Sequence, residues 1–190
     1  MVEARRSLAR IEEGDLLRLA LLAEEVEAGL FERRPEGAGR YAGRLLCRAL
    51  CQGAALHYLD GENGVKDLDV WSFYAARSDG PFPYRWRGIA DYGPSRFGRY
   101  PGDPSALVGR RVDLFGRSLP APPGADPAAV IRAYLSAART KSAKALAAKA
   151  VILIAPERCV GEVLWPVGRQ RVTVMSSPAG AAPVRRAFAG

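Results

Sequence analysis

A chain of 190 residues is sized for one domain with a real core, and 48% apolar with 25% charged residues is ordinary for a soluble globular protein. No apolar run approaches the ~18–20 residues of a membrane span, the three cysteines Cys47, Cys51 and Cys159 are too few for a disulfide framework, and the opening Met1-Val2-Glu3-Ala4-Arg5-Arg6 leads into charged amphipathic sequence rather than a signal peptide. Membrane-spanning and disulfide-stapled secreted classes are therefore excluded, and the cytoplasm is the expected compartment. The net charge of +8 is unevenly spread: residues 1–95 hold 13 basic and 15 acidic side chains, residues 96–190 hold 15 and 5. An acidic half facing a basic half suits a polyanionic substrate. A coding bias toward Arg, Ala, Gly and Pro would raise the basic count equally well.

In chain order, residues 7–30 read as one amphipathic helix with Ser7 as its N-cap and Leu16, Leu19, Leu22 and Val26 near helical spacing. Residues 33–43 form a loop by their Gly and Pro content. Arg44–Gln52 is an apolar strand that hands over at Gly53-Ala54 to a short helix ending near Tyr58. A strand passing into a helix at small residues exposes free backbone N–H groups, which can cradle an anion. Gly61-Glu62-Asn63-Gly64 turns the chain into a second strand, Gly64-Val65-Lys66-Asp67-Leu68-Asp69-Val70-Trp71-Ser72-Phe73-Tyr74. It opens with two carboxylates and ends apolar and aromatic, as a central strand with a wet lip would. Asp67 and Asp69 are two residues apart, so on a strand they project to one face. Like charges that close repel, and a shared cation is the usual way to keep both ionised.

Residues 78–106 lack periodicity and interleave Phe82, Tyr84, Trp86, Tyr92, Phe97 and Tyr100 with Arg85, Arg87, Arg96 and Arg99. Such a stretch can stack a base and grip phosphate, or its aromatics can pin a loop to the core. Gly109–Phe115 is a third strand carrying one acid, Asp113. Residues 118–126 make a linker. Asp126-Pro127 is a strong helix start, and the helix runs from about 127 to 149 with a break expected near Thr140. Lys141 and Lys144 lie one turn apart on it, either as a solvated basic face or to meet a nucleotide's phosphates. Val151–Ile154 is a short strand or the buried end of that helix. Val163–Trp165 and Arg171–Met175 read as a hairpin, and residues 176–190 as a frayed tail. Cys47 and Cys51 share a strand face as buried reduced thiols, and His57, the sole histidine, is a packed or partly exposed helix residue.

The succession of strand, Gly-small turn, helix, strand bearing D-x-D and later strand bearing a third Asp resembles the nucleotidyltransferase superfamily, the palm type of DNA polymerase beta. The resemblance covers roughly residues 40–118. It implies that Gly53 and Ala54 hold the nucleotide's phosphates, that Asp67 and Asp69 are the paired metal ligands, and that Asp113 is the third carboxylate, holding a second metal or helping to activate the attacking hydroxyl. Ala54 stands where many members of the superfamily have Ser. The expected fold is then α/β (α+β): a mixed-sheet, nucleotidyltransferase-like core over 1–118, a C-terminal helix and β-hairpin extension over 119–176, and a tail over 177–190. The expected function is Mg²⁺-dependent transfer of a nucleotidyl group from a nucleoside triphosphate to an unidentified hydroxyl acceptor, with two metal ions and with nucleic acid among the acceptors. Lys141 and Lys144 are the candidate phosphate contacts outside that stretch. The alternative is a catalytically silent protein that binds nucleotide or RNA in the same pocket. An interaction protein also fits the size, with no residue that singles it out.

Overall fold

The strand ending at residue 51 and the acidic strand behind it lie side by side. In the computed structural model, which describes residues 6–82 and 87–166, Leu45–Cys51 (β1) runs directly into helix Gln52–Asp60 (α2), and Leu68–Ala75 (β2) returns antiparallel to β1. Arg87–Asp91 (β3), Arg111–Leu119 (β4), Val151–Ala155 (β5) and Val163–Trp165 (β6) complete a six-stranded sheet in the order β3-β4-β2-β1-β5-β6. The β2–β4 pair is parallel and the other four pairs are antiparallel, so the sheet is mixed. With helices Glu13–Arg33 (α1), Pro127–Ala137 (α3) and Lys141–Ala147 (α4), the chain is of the expected α+β class. No helix among the described residues is long and apolar enough to cross a membrane.

Strand alternation sorts the side chains into two layers. Leu50, Leu68, Val70, Leu114 and Ile152 face α1 and α2, where Leu16, Leu19, Ala55 and Leu59 close one core. Cys47, Cys51, Phe73 and Leu153 face α3 and α4, where Ile131, Leu135 and Leu146 close the other. Arg48 is the one charged residue of β1, and its guanidinium donates to Glu27 of α1 at 2.8 Å with both groups buried. Removing one partner of such a pair strands the other charge, at a cost of about 3–5 kcal/mol, so the pair fixes how α1 sits on the sheet.

Several expectations are corrected. The first helix begins at Glu13, not Ser7. Ser7 instead pairs with Val65 as an antiparallel bridge, with N–H···O distances of 3.0 and 2.8 Å, because tertiary pairing outweighs a lone N-cap signal. Asp15 then starts α1 by accepting from the Glu12 backbone N–H at 2.7 Å. The aromatic–basic stretch contains an edge strand, β3, whose Arg-Gly-Ile-Ala-Asp composition carries no strand pattern of its own. Asp126 caps α3 through the N–H groups of Ala128 and Ala129, and Thr140 starts α4, so the expected helix breaks where proposed. Val151–Ile154 is a strand, and it pairs with β1. Residues beyond 119 therefore supply two strands of the same sheet and the helices over one face. β6 pairs with β5, while Arg171–Met175 and the tail lie outside the described residues.

The connection between β3 and β4 is drawn tight by close backbone packing. A Cβ at Gly109 would stand 1.8 Å from the Gly93 carbonyl oxygen, with only backbone around it to yield. At Gly53 a Cβ would meet nothing within 4 Å. Gly109→Ala is expected to destabilise by about 3 kcal/mol through forced backbone movement, and Gly53→Ala by well under ~1 kcal/mol, both read from urea unfolding at neutral pH.

Candidate functional site

Register assembles the acidic residues. The β1–β2 ladder sets Cys51 opposite Asp69, and the parallel β2–β4 ladder sets Asp69 opposite Asp113. Neighbouring strands lie about 4.8 Å apart and register partners share a face, so the two carboxylates stand side by side. Asp67, in the lead-in to β2, joins them in a cavity of about 380 Å³ that Gly53 and Ala54 of α2 also line. The five residues matched to the nucleotidyltransferase pattern, spread from Gly53 to Asp113, thus meet in one place.

Backbone around the cavity is held from below. Arg110 is buried, and its guanidinium donates to the carbonyls of Val65 and Lys66, each at 3.0 Å, and to that of Phe97. Three carbonyls on one fixed fork leave the segment before Asp67 little freedom, and the Ser7 bridge holds its other side. At the start of α2, Gln52 takes a left-handed conformation with φ of +58°, and its N–H donates to Ala150 at 3.0 Å. A non-glycine residue in this region stores about 1 kcal/mol or more of strain. The first residues of α2, Gln52, Gly53 and Ala54, line the cavity, and beside Gly53 the space is open.

Charge is distributed unequally over the three acids. Asp113 is buried and fully engaged: Arg111 donates through Nε at 2.7 Å and Nη2 at 3.1 Å, and Arg87 of β3 closes on the same carboxylate. Asp67 and Asp69 have no ion pair among the described residues. Burial, then the charges of Asp67 and Asp113, push the Asp69 carboxyl up from the usual 3.8 to about 7, against the opposing pull of Lys149 and Arg87. The cavity lining sets Asp67, Asp69 and Asp113 against Arg6, Lys66, Arg87 and Lys149, yet no cation pairs directly with Asp67 or Asp69 among the described residues. A divalent cation seated on Asp67 and Asp69 would relieve the repulsion between these two carboxylates. Among the described residues no group of three or more His, Cys, Asp and Glu side chains is arranged to hold a metal ion. The residues present fit one ion on two carboxylates, with the remaining ligands from substrate and water.

The lysines are distributed differently from expectation. Lys149 lines the acidic cavity, together with Lys66, Arg87 and Arg6. Lys141 lines an adjoining cavity, and Lys144 lines neither. Lys149 lies at the end of the connection into β5, and it reaches the acids because Val151 pairs with Cys51, which pairs with Asp69. The one hint in the chain is that lysine is scarce, so each lysine is worth locating. Of the described part of the aromatic–basic stretch, Phe82, Tyr92 and Phe97 are buried, Arg96 binds Asp15 and the Arg10 carbonyl, and Arg87 alone reaches the cavity. These aromatics pin the connection to the core. Tyr84, Arg85 and Trp86 lie outside the described residues.

His57 is buried, with Nε2 2.8 Å from the Ala9 carbonyl, and is a packing residue. Burial pushes the Cys47 thiol up to about 12 and raises Cys51 as well, so both stay protonated and unreactive.

Because folding raises the proton affinity of Asp69, the folded chain binds that proton more tightly than the unfolded chain between pH ~4 and ~7. Its ionisation therefore costs stability as pH rises through this window, and the full cost is present above pH ~7. Asp69→Asn is expected to raise the thermal midpoint by about 3–6 °C at pH 8, corresponding to ~1–2 kcal/mol, and to leave it unchanged at pH 4. An equal gain at both pH values would show that the carboxyl is not raised. No protein family, curated protein or solved structure matches the chain, so the reading of the site rests on its own side chains.

Proposed function

We propose that the acidic cavity binds a nucleoside triphosphate with one Mg²⁺ and transfers its nucleotidyl group to a hydroxyl acceptor. The observation that carries this reading is the meeting of Asp67, Asp69, Lys149 and the Gly53-Ala54 turn in a single cavity. Carboxylates alone would repel a triphosphate, and cations alone would hold it without need of a metal. The combination suits a substrate that arrives as a metal complex.

Asp67 and Asp69 would hold the ion, which when bound neutralises charge on the triphosphate and on the pyrophosphate that leaves. Backbone N–H groups at Gly53 and Ala54 receive phosphate oxygens at the start of α2. Lys149 and Arg87 meet the remaining charge, and Arg87 is held in position by Asp113. In this reading Asp113 acts as the anchor of two arginines, Arg87 and Arg111. The acceptor oxygen forms a bond to the α-phosphorus, the bond from that phosphorus to the pyrophosphate oxygen breaks, and the acceptor proton passes to water at the open side. Most of the rate then comes from positioning and fixed charge, which few side chains can supply.

A second reading is favoured by two specific features. Asp113 has both oxygens occupied by guanidinium groups, and Ala54 offers no hydroxyl to phosphate. A nucleotide- or RNA-binding protein without turnover would show both. Calorimetric titration with Mg²⁺ and the four ribonucleoside triphosphates separates the readings. Binding that requires Mg²⁺ and is followed by pyrophosphate release supports transfer. Metal-independent RNA binding that weakens steeply with salt supports the silent binder.

Asp67→Asn and Asp69→Asn are each expected to abolish Mg²⁺-dependent binding and turnover with the circular dichroism spectrum unchanged. Lys149→Ala is expected to weaken triphosphate binding about tenfold, the scale of one charge-assisted contact. Full turnover in the Asp69 variant would end the proposal.

A further inference from the structure

A second cavity, of about 440 Å³, adjoins the acidic one, and Gln52 and Phe115 line both. Its remaining walls differ sharply in character. Arg117, Lys141, Ser118 and Ser142 line it, and among the described residues no carboxylate does. Arg117 makes no ion pair with a described residue, and its guanidinium carbon lies over the Tyr134 ring, 5.2 Å from the centroid. Tyr134 is itself fixed by a 3.1 Å hydrogen bond to Thr140. A guanidinium stacked on one face keeps its N–H edge free for a planar or tetrahedral anion. Lys141 is exposed and likewise unpaired among the described residues.

Two arrangements explain a basic cavity beside an acidic one. In the first it takes the nucleobase of the triphosphate. A base is neutral, however, and the aromatic rings here have no open face to stack on. Trp71 and Phe115 stack on each other at 4.9 Å and 20°, Phe73 lies along Trp71, and the Arg87 guanidinium sits over Phe115. In the second it takes another anion. The triphosphate's own charge is already met by Lys149, Arg87 and the cation on Asp67 and Asp69, so the second anion belongs to a second molecule. The rings' edges and Pro81 give that molecule an apolar wall.

Resting on the nucleotidyl-transfer reading, we propose that this adjoining cavity is the acceptor subsite, and that the acceptor carries a phosphate, gripped by Arg117 and Lys141. The shared wall of Gln52 and Phe115 sets the two ligands next to each other. The same chemistry comes from a free phosphorylated compound or from the end of a nucleic-acid strand.

The test is calorimetry on the full chain with the acidic cavity saturated by Mg²⁺ and α,β-methylene-ATP, which cannot release pyrophosphate. The titrants are adenosine, adenosine 5′-monophosphate and the dinucleotide ApA. Binding of either phosphate-bearing probe at least tenfold tighter than adenosine is expected, with a loss of about tenfold in Lys141→Ala and in Arg117→Ala. Lys141 is exposed, so its variant keeps the test sound if loss of Arg117 disturbs α3. The monophosphate binding tighter identifies a free compound as the source, and ApA binding tighter identifies a strand end. Adenosine binding as well as the phosphate probes, or Lys141→Ala binding them like the parent chain, overturns the proposal, as does binding of neither probe. The ATP analogue serves as the separate readout for the underlying reading. If it fails to bind while the phosphate probes remain sensitive to Lys141→Ala, nucleotidyl transfer is overturned and the phosphate site stands.

Discussion

The parallel ladder between β2 and β4 is the constraint on which the site depends. It runs in unbroken register from Leu68 opposite Val112 to Ala75 opposite Leu119, and that register sets Asp69 beside Asp113. Side-chain direction alternates with each residue, so a slip of one position would turn Asp113 into the core and bring Leu114 to the cavity. The ladder is protected against that slip by the apolar partners Leu68, Val70, Val112 and Leu114, all buried on the opposite face. Burial on one face of the sheet thus holds like charges together on the other.

Such a juxtaposition is unfavourable by itself, and the surrounding structure shows how it is contained. Arg111 shares the strand and the face of Asp113 and binds it from two residues away, while Arg87 crosses from β3. Asp69 has no such partner, and its burial, with the charges of Asp67 and Asp113 beside it, keeps its proton affinity high. The edge strand β3 is therefore more than a continuation of the sheet. It brings a second cation to the buried carboxylate that Arg111 already binds.

The long connection around β3 is organised by groups that bind backbone rather than substrate. Arg110 gathers the carbonyls of Val65, Lys66 and Phe97. Asp91 accepts from the N–H groups of Gly93, Val108 and Gly109, which holds its carboxyl below the usual range despite some burial. The two clamps act at opposite ends of one segment and share a purpose. They let a stretch without regular structure return the chain to β4 in the one register that serves the cavity.

Local chemistry alone was enough for the elements whose signals are local. The apolar, aromatic run Val70–Tyr74, the small residues after β1, the Asp126-Pro127 helix start and the Thr140 break can be read from neighbours in the chain. The D-x-D pair does meet at one cavity, but Asp67 precedes the strand, which starts at Leu68, so strand alternation places only Asp69. What the tertiary structure decided depends on partners far apart in sequence. Ser7 prefers a bridge to Val65 over capping a helix, β3 exists only because β4 offers it an edge, and Val151 pairing with Cys51 brings Lys149, rather than Lys141 or Lys144, to the acids. A residue's type and spacing determine which face it takes; strand pairing alone determines which charges it then meets.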